Sequence, residues 1–161
     1  PTKWGMPSAM WSAVAGKLGT KLVCSGVDEM IFTGRCDNWS YLVIEGDTDS
    51  RTFTLKDASD LLGKTTHEKI MWFADNYEDA HFAVLGPAGE NWQGNRFASI
   101  ACSPENPLKT RQPKPRSAGR GGLGNLMGSQ NLLALATQSP EPRGTVTPAA
   151  QPAHLENARR A

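Results

Sequence analysis

Arg116 and Arg120 stand in a stretch, Arg116 to Asn131, that also carries glycines 119, 121, 122, 124 and 128. Both guanidinium groups stay charged at any working pH, and their planar forks match phosphate oxygens. Glycines this dense let the backbone take positive φ and come close to a ligand, with N–H groups left free to point at an anion. The stretch reads as a docking loop for a phosphate-bearing cofactor. Gly119 to Gly124 formally matches GxGxxG, but the dinucleotide-binding version needs a buried strand just before it and an acid about 20 residues on at a strand end. Here a proline-rich basic loop precedes the glycines, and Glu141 lies in a polar tail. No Lys-Ser or Lys-Thr follows the glycines, so a nucleoside-triphosphate P-loop is excluded as well.

The remaining chemistry-bearing residues fall into no constellation. His67, His81 and His154 share no ligand spacing, and the acids Asp28, Glu29, Asp57 and Asp60 sit where turns favour Asp. Cys24, Cys36 and Cys102 are an odd number without CxxC spacing, which builds neither a structural zinc site nor an iron–sulfur cluster from this chain alone. They are expected to be reduced thiols of a cytoplasmic protein. Lys109, Arg111, Lys114, Arg116 and Arg120 form a run without acids, but prolines rather than aromatic residues interleave it, and the net charge of the chain is +1. A solvated basic loop is expected there, not a nucleic-acid arm. No apolar run approaches the ~18 residues of a membrane span, and no signal peptide is visible. With 161 residues, 39% hydrophobic and 20% charged, the chain is long enough for one domain with a core. It begins at Pro1 amid residues that resemble the interior of a fold, so a fragment or processed piece is expected.

The elements that must position the glycine loop follow from periodicity. Met10, Trp11, Val14, Leu18 and Leu22 make an i, i+4 stripe, predicting an amphipathic core-facing helix over 7–23, weakened by Gly16 and Gly19. Residues 29–33 and 41–45 are predicted strands forming a hairpin or meander, with a third strand at 51–55 after the Gly46-Asp47 turn. Residues 57–62 suit a helical turn closed by Gly63. Thr65 and Glu68 form a capping box that opens a helix ending near Asn76. Strands are expected at 80–85 and 96–102, with a turn at 86–89 between them. A proline-rich loop follows over 103–115, then a short helix at 123–127 and a last strand at 131–137. The sum is an α+β domain of mostly non-parallel strands with a few helices, over residues 1–137. Residues 138–161, rich in Pro, Ala, Ser and Thr, read as a disordered tail or linker.

Two motifs in order carry a family resemblance. Leu85-Gly-Pro-Ala-Gly-Glu-Asn91 with the strand after it, and Ala118-Gly-Arg-Gly-Gly-Leu-Gly-Asn-Leu-Met-Gly-Ser-Gln-Asn-Leu132, resemble the N-terminal domain of the aldehyde ferredoxin oxidoreductase family. Lys21 to Gly34 and Asp57 to Thr66 are similar too, so the resemblance runs from about residue 5 to residue 137. It implies a β-rich base for a tungsten- or molybdenum-bis-pyranopterin cofactor, in enzymes that oxidise aldehydes to carboxylic acids with a ferredoxin-type electron acceptor. Carried over, Arg116 would bind a pterin phosphate and the Ser117 backbone carbonyl would face a magnesium ion bridging two phosphates. Gly119 and Arg120 would add cofactor contacts. The chain departs from the family pattern in an insert over Asn106–Pro115 and in Ser117, where alanine is usual. The family's 4Fe-4S cysteines and substrate pocket belong to later domains, so this chain alone is not expected to turn over aldehydes. Its implied partners are the remaining domains or another subunit, and a ferredoxin-like electron carrier. The alternative is a non-catalytic remnant domain acting as a phosphate-ligand-binding or protein-interaction module.

Overall fold

The computed structural model describes residues 10–95, 97–104 and 114–140. Strands β1 (Ser40–Gly46), β2 (Arg51–Asp57), β3 (His81–Leu85), β4 (Ile100–Cys102), β5 (Arg116–Ala118) and β6 (Leu132–Gln138) form one sheet in the order β2-β1-β6-β3-β4-β5. Only β1 and β6 run parallel; the other neighbours are antiparallel. The α+β expectation with mostly non-parallel strands therefore holds. The last strand enters the centre of the sheet, between β1 and β3, where both its edges are paired and its residues Leu132 to Thr137 are buried.

Helices α1 (Leu18–Cys24), α2 (Thr66–Asn76), α3 (Pro87–Glu90) and α4 (Leu123–Ser129) cover the sheet. The Thr65 hydroxyl accepts from the Glu68 N–H at 3.2 Å, and Glu68 accepts from the Thr65 N–H at 2.7 Å, so the predicted capping box opens α2. The helix buries Ile70, Phe73 and Ala74 against Tyr41, Val43, Phe82, Val84 and Ala136. Phe73 sits at the middle of that core, edge-on to Tyr41 with centroids 5.2 Å apart and stacked on Phe82 at 5.5 Å. The opposite sheet face packs Ile44, Ala83, Cys102 and Leu135 under Leu18 and Leu22 of α1.

Five expectations are corrected. The stripe over 7–23 forms a helix only from Leu18; Met10, Trp11 and Val14 are exposed, and Gly16 takes φ +136, a value helical residues never adopt. Residues 29–33 form no strand, because both edges of β1 are already taken by β2 and β6; the β-formers Ile31 and Phe32 are left exposed. The predicted strand at 96–102 is confined to Ile100–Cys102, with Phe97 exposed and Arg96 outside the described residues. The predicted turn at 86–89 is α3, which Pro87 opens from a first-turn position where its missing N–H costs nothing. The loop expectation for 103–115 and the tail expectation for 138–161 fall mostly outside the described residues, but the tail's expected start is corrected, since Gln138 belongs to β6 and Ser139 is buried. The last strand runs one residue past its predicted end, to Gln138.

Candidate functional site

The start of the glycine stretch is a strand. Arg116–Ala118 pairs with Cys102–Ile100 as the outermost strand, β5, a pairing the glycine signal hid. Alternation along β5 places Ser117 beside Ala101, on the α2 face of the sheet, and Arg116 beside Cys102, on the other. The chain then turns through Gly119, Arg120, Gly121 and Gly122 into α4. Gly121 and Gly122 take φ +74 and +68, a left-handed pair that L side chains resist by roughly 1–2 kcal/mol per residue.

Behind the turn, α4 is clamped. A Cβ at Gly128 would lie 2.1 Å from the Gly89 carbonyl oxygen, and one at Gly124 would lie 2.5 Å from the Ala98 carbonyl oxygen, so both glycines are required by close approach. Asn125 holds the same side: its Oδ1 accepts from the Ala98 N–H at 2.6 Å, and its Nδ2 donates to the carbonyls of Trp92, at 3.0 Å, and Asn95. Asn131, at φ +55, ends α4. Its side chain donates to the Cys36 carbonyl at 2.7 Å and accepts from Arg35 at 3.0 Å. α3 is anchored in turn by Glu90, which accepts from the Gly63 N–H at 2.8 Å and pairs with Lys69. Lys69 is fully buried and also donates to the Leu85 carbonyl at 2.8 Å. Burial pushes the Lys69 ammonium below its ordinary value, with Glu90 opposing that shift.

A cleft of about 680 Å³ opens over the turn, lined by Met10, Trp11, Ser12, Ala13, Ser117, Gly119, Arg120 and Gly121. Ser117, Gly119 and Arg120 are exposed in it. Segment 10–13 lies against the glycines: the Arg120 N–H donates to Ser12 Oγ at 3.3 Å, and a Cβ at Gly121 would meet Met10 Cβ at 3.3 Å. Three of the four predicted site residues, Ser117, Gly119 and Arg120, thus share one cleft, whereas Arg116 is exposed on the other side of β5 and outside its lining. The donor set fits a phosphate-bearing group: a guanidinium, two hydroxyls and a left-handed glycine pair whose backbone is free of side chains. Sequence reasoning missed the segment 10–13 wall, having read Met10 and Trp11 as a core stripe. Gly16 and Gly19 were the signal against that reading. It also gave no role to Glu90 or Asn125.

Two other flagged groups, His81 and Cys102, are structural. His81 begins β3, buried, with Nδ1 3.0 Å from Ser103 Oγ. Burial pushes the Cys102 thiol up to about 11, an unreactive value. Among the described residues no three His, Cys, Asp or Glu side chains are grouped to hold a metal. No helix among them is long and apolar enough to cross a membrane.

The family described as "Aldehyde ferredoxin oxidoreductase, N-terminal domain" matches residues 7–139. Tungsten-containing aldehyde ferredoxin oxidoreductases of Pyrococcus horikoshii and Pyrococcus abyssi are 33% and 34% identical to the chain over 125 residues, covering 76% of it. The chain spans 18% of the length of each of these relatives. Among solved structures, the active-site complex BamBC of benzoyl coenzyme A reductase, in complex with 1,5-dienoyl-CoA, superposes with a TM-score of 0.64 at 30% identity. That match covers 81% of this chain and 18% of the other.

Proposed function

The chain belongs to the aldehyde ferredoxin oxidoreductase N-terminal domain family, and from that membership we propose that it is the pterin-cofactor-binding domain of a tungsten- or molybdenum-dependent oxidoreductase. The observation that carries this reading is the cleft in which Arg120, Ser117 and Gly119 meet segment 10–13. When bound, a metal–bis-pyranopterin centre supplies two-electron oxidation of an aldehyde to a carboxylic acid, chemistry outside the reach of protein side chains. The chain's own part is to hold and orient. Arg120 neutralises phosphate charge from within the cleft, and Arg116 does so from the neighbouring face of β5. The backbone N–H groups of Gly119, Gly121 and Gly122 add donors, and the Ser117 carbonyl supplies an oxygen suited to a hard cation such as magnesium. The clamp from Glu90 through α3 to α4 keeps those donors at fixed spacing, which an anion site needs if binding is not to cost ordering entropy.

The complete enzyme in this proposal includes further domains or a second subunit, an iron–sulfur cluster ligated outside this chain and a ferredoxin-like electron carrier. The test is elemental analysis for tungsten and molybdenum, together with pterin fluorescence after oxidation, on protein purified with its native partners. Metal and pterin in fixed ratio to the chain are expected, with both reduced in Arg120→Ala and Arg116→Ala. Their absence from the assembled complex would overturn the proposal; an Arg116→Ala variant with unchanged cofactor content would remove Arg116 from the site.

A further inference from the structure

Trp11 occupies an unusual place for its type. It is 78% exposed, and Met10 beside it is 59% exposed, although tryptophan has one of the largest apolar surfaces to gain from burial. No ring of the described residues stacks on it. Its backbone nonetheless lies against the glycine turn. The Arg120 N–H donates to the next residue, Ser12, at 3.3 Å, and the Trp11 carbonyl lies 3.7 Å from where a Gly121 Cβ would be. The cleft therefore has two unlike walls, one cationic and polar from Ser117 to Gly121, the other apolar from Met10 and Trp11.

We infer that Trp11 is a stacking platform for the flat heterocycle of the ligand whose phosphate the glycine turn holds. This rests on the phosphate-binding reading of the same cleft and adds a specificity-determining residue to it. A phosphate alone needs only the polar wall. A ligand joining a phosphate to a planar ring uses both, and an indole covers such a ring independently of its hydrogen-bonding edge.

The test uses the 161-residue chain with two probes, inorganic phosphate and a hydroxymethylpterin phosphate, titrated by calorimetry and by pterin fluorescence, which a stacked indole quenches. Trp11→Ala is expected to weaken the pterin phosphate about tenfold or more, to remove the quenching, and to leave inorganic phosphate binding unchanged. Trp11→Phe is expected to retain most of the affinity, and Arg120→Ala to weaken both probes. Because Trp11 is exposed, circular dichroism of its variants should match the parent. Pterin-phosphate affinity and quenching that survive Trp11→Ala overturn the stacking role while leaving the phosphate site standing. Binding of both probes that survives Arg120→Ala and Arg116→Ala, or failure of the chain to bind either probe, overturns the underlying reading of the cleft.

Discussion

Gly128→Ala separates a clamped glycine from one that is merely part of a flexible loop. The new Cβ would lie 2.1 Å from the Gly89 carbonyl oxygen and 3.2 Å from Trp92 Cβ, so α3 and α4 must part by about an ångström. Neither can yield freely. Gly89 is itself packed against the side chain of buried Leu85, and α3 is tied down by Glu90 to Gly63 and Lys69. Overpacking of this kind costs about 1–3 kcal/mol, against up to about 1 kcal/mol gained by replacing glycine with alanine in a helix. The net loss should be on the order of 1 kcal/mol, a fall in Tm of roughly 3–5 °C for a domain of this size. Gly119→Ala is the control: a Cβ there meets nothing within 4 Å, and its φ lies outside the left-handed range, so its stability should change by less than about 0.5 kcal/mol. Thermal and urea unfolding followed by circular dichroism read both. Equal Tm values for the two variants would refute the claim that α4 is held by close backbone approach to α3.

Three further outcomes follow from buried polar groups and caps. Glu90→Ala strands the fully buried Lys69 ammonium and should destabilise by about 3 kcal/mol or more, whereas Lys69→Met/Glu90→Leu should recover much of that loss; urea midpoints give the cycle, and additive single effects would refute the pairing. The Tyr41 hydroxyl is pushed up to about 12 by burial and by its 3.0 Å contact with Tyr77. Its folded value lies above its unfolded one, so this contribution to stability is intact below about pH 10 and is lost as pH rises from about 10 through about 12; Tyr41→Phe should flatten that alkaline decline, and an unchanged profile would count against it. Thr65→Ala removes one half of the capping box and should cost about 1 kcal/mol. The hydrogen bonds from Thr65 hold Glu68 below the usual carboxylate range, so the stabilising effect of that contact fades as pH falls through the carboxylate range, and an NMR titration of Glu68 in Thr65→Ala should move back toward the ordinary value.

How much was legible in the sequence depended on whether the signal was local. The capping box at Thr65, the glycine ending the turn at Gly63 and the strand at 51–55 each rest on a few neighbouring residues, and each appeared where the residues placed it, although Phe53 and Leu55 of that strand stay exposed. The strand 29–33 failed because β-propensity carries no knowledge of free edges. Met30, Ile31 and Phe32 suit a strand, yet β6 arrives from about ninety residues away and pairs with the edge of β1 that a hairpin would have used. The helix over 7–23 failed for a related reason: the i, i+4 stripe was real in spacing, but Met10 and Trp11 line a cleft and Val14 is exposed, so none of the three joins the core. Ser117, Gly119 and Arg120 line one cleft because they are neighbours in sequence. Their apolar counterpart, Trp11, lies more than a hundred positions away, and only the fold brings it to the glycine turn.

The division of labour between the two ends of the sheet explains why a site can sit at an edge without being loose. β5 has three residues and one sheet neighbour, which makes it the weakest strand by hydrogen bonding. The turn leaving it feeds α4, whose glycines let it approach the backbones of Gly89 and Ala98, and whose C-terminus delivers the chain into β6, a central strand buried from Leu132 to Thr137. Any shift of the glycine turn must therefore displace α4 against α3, and α3 is anchored to the buried Lys69. Ser117, Gly119 and Arg120 are exposed, while the contacts behind them, at Gly124, Gly128, Gly89 and Lys69, are buried, so groups at the turn are accessible and yet held in spacing.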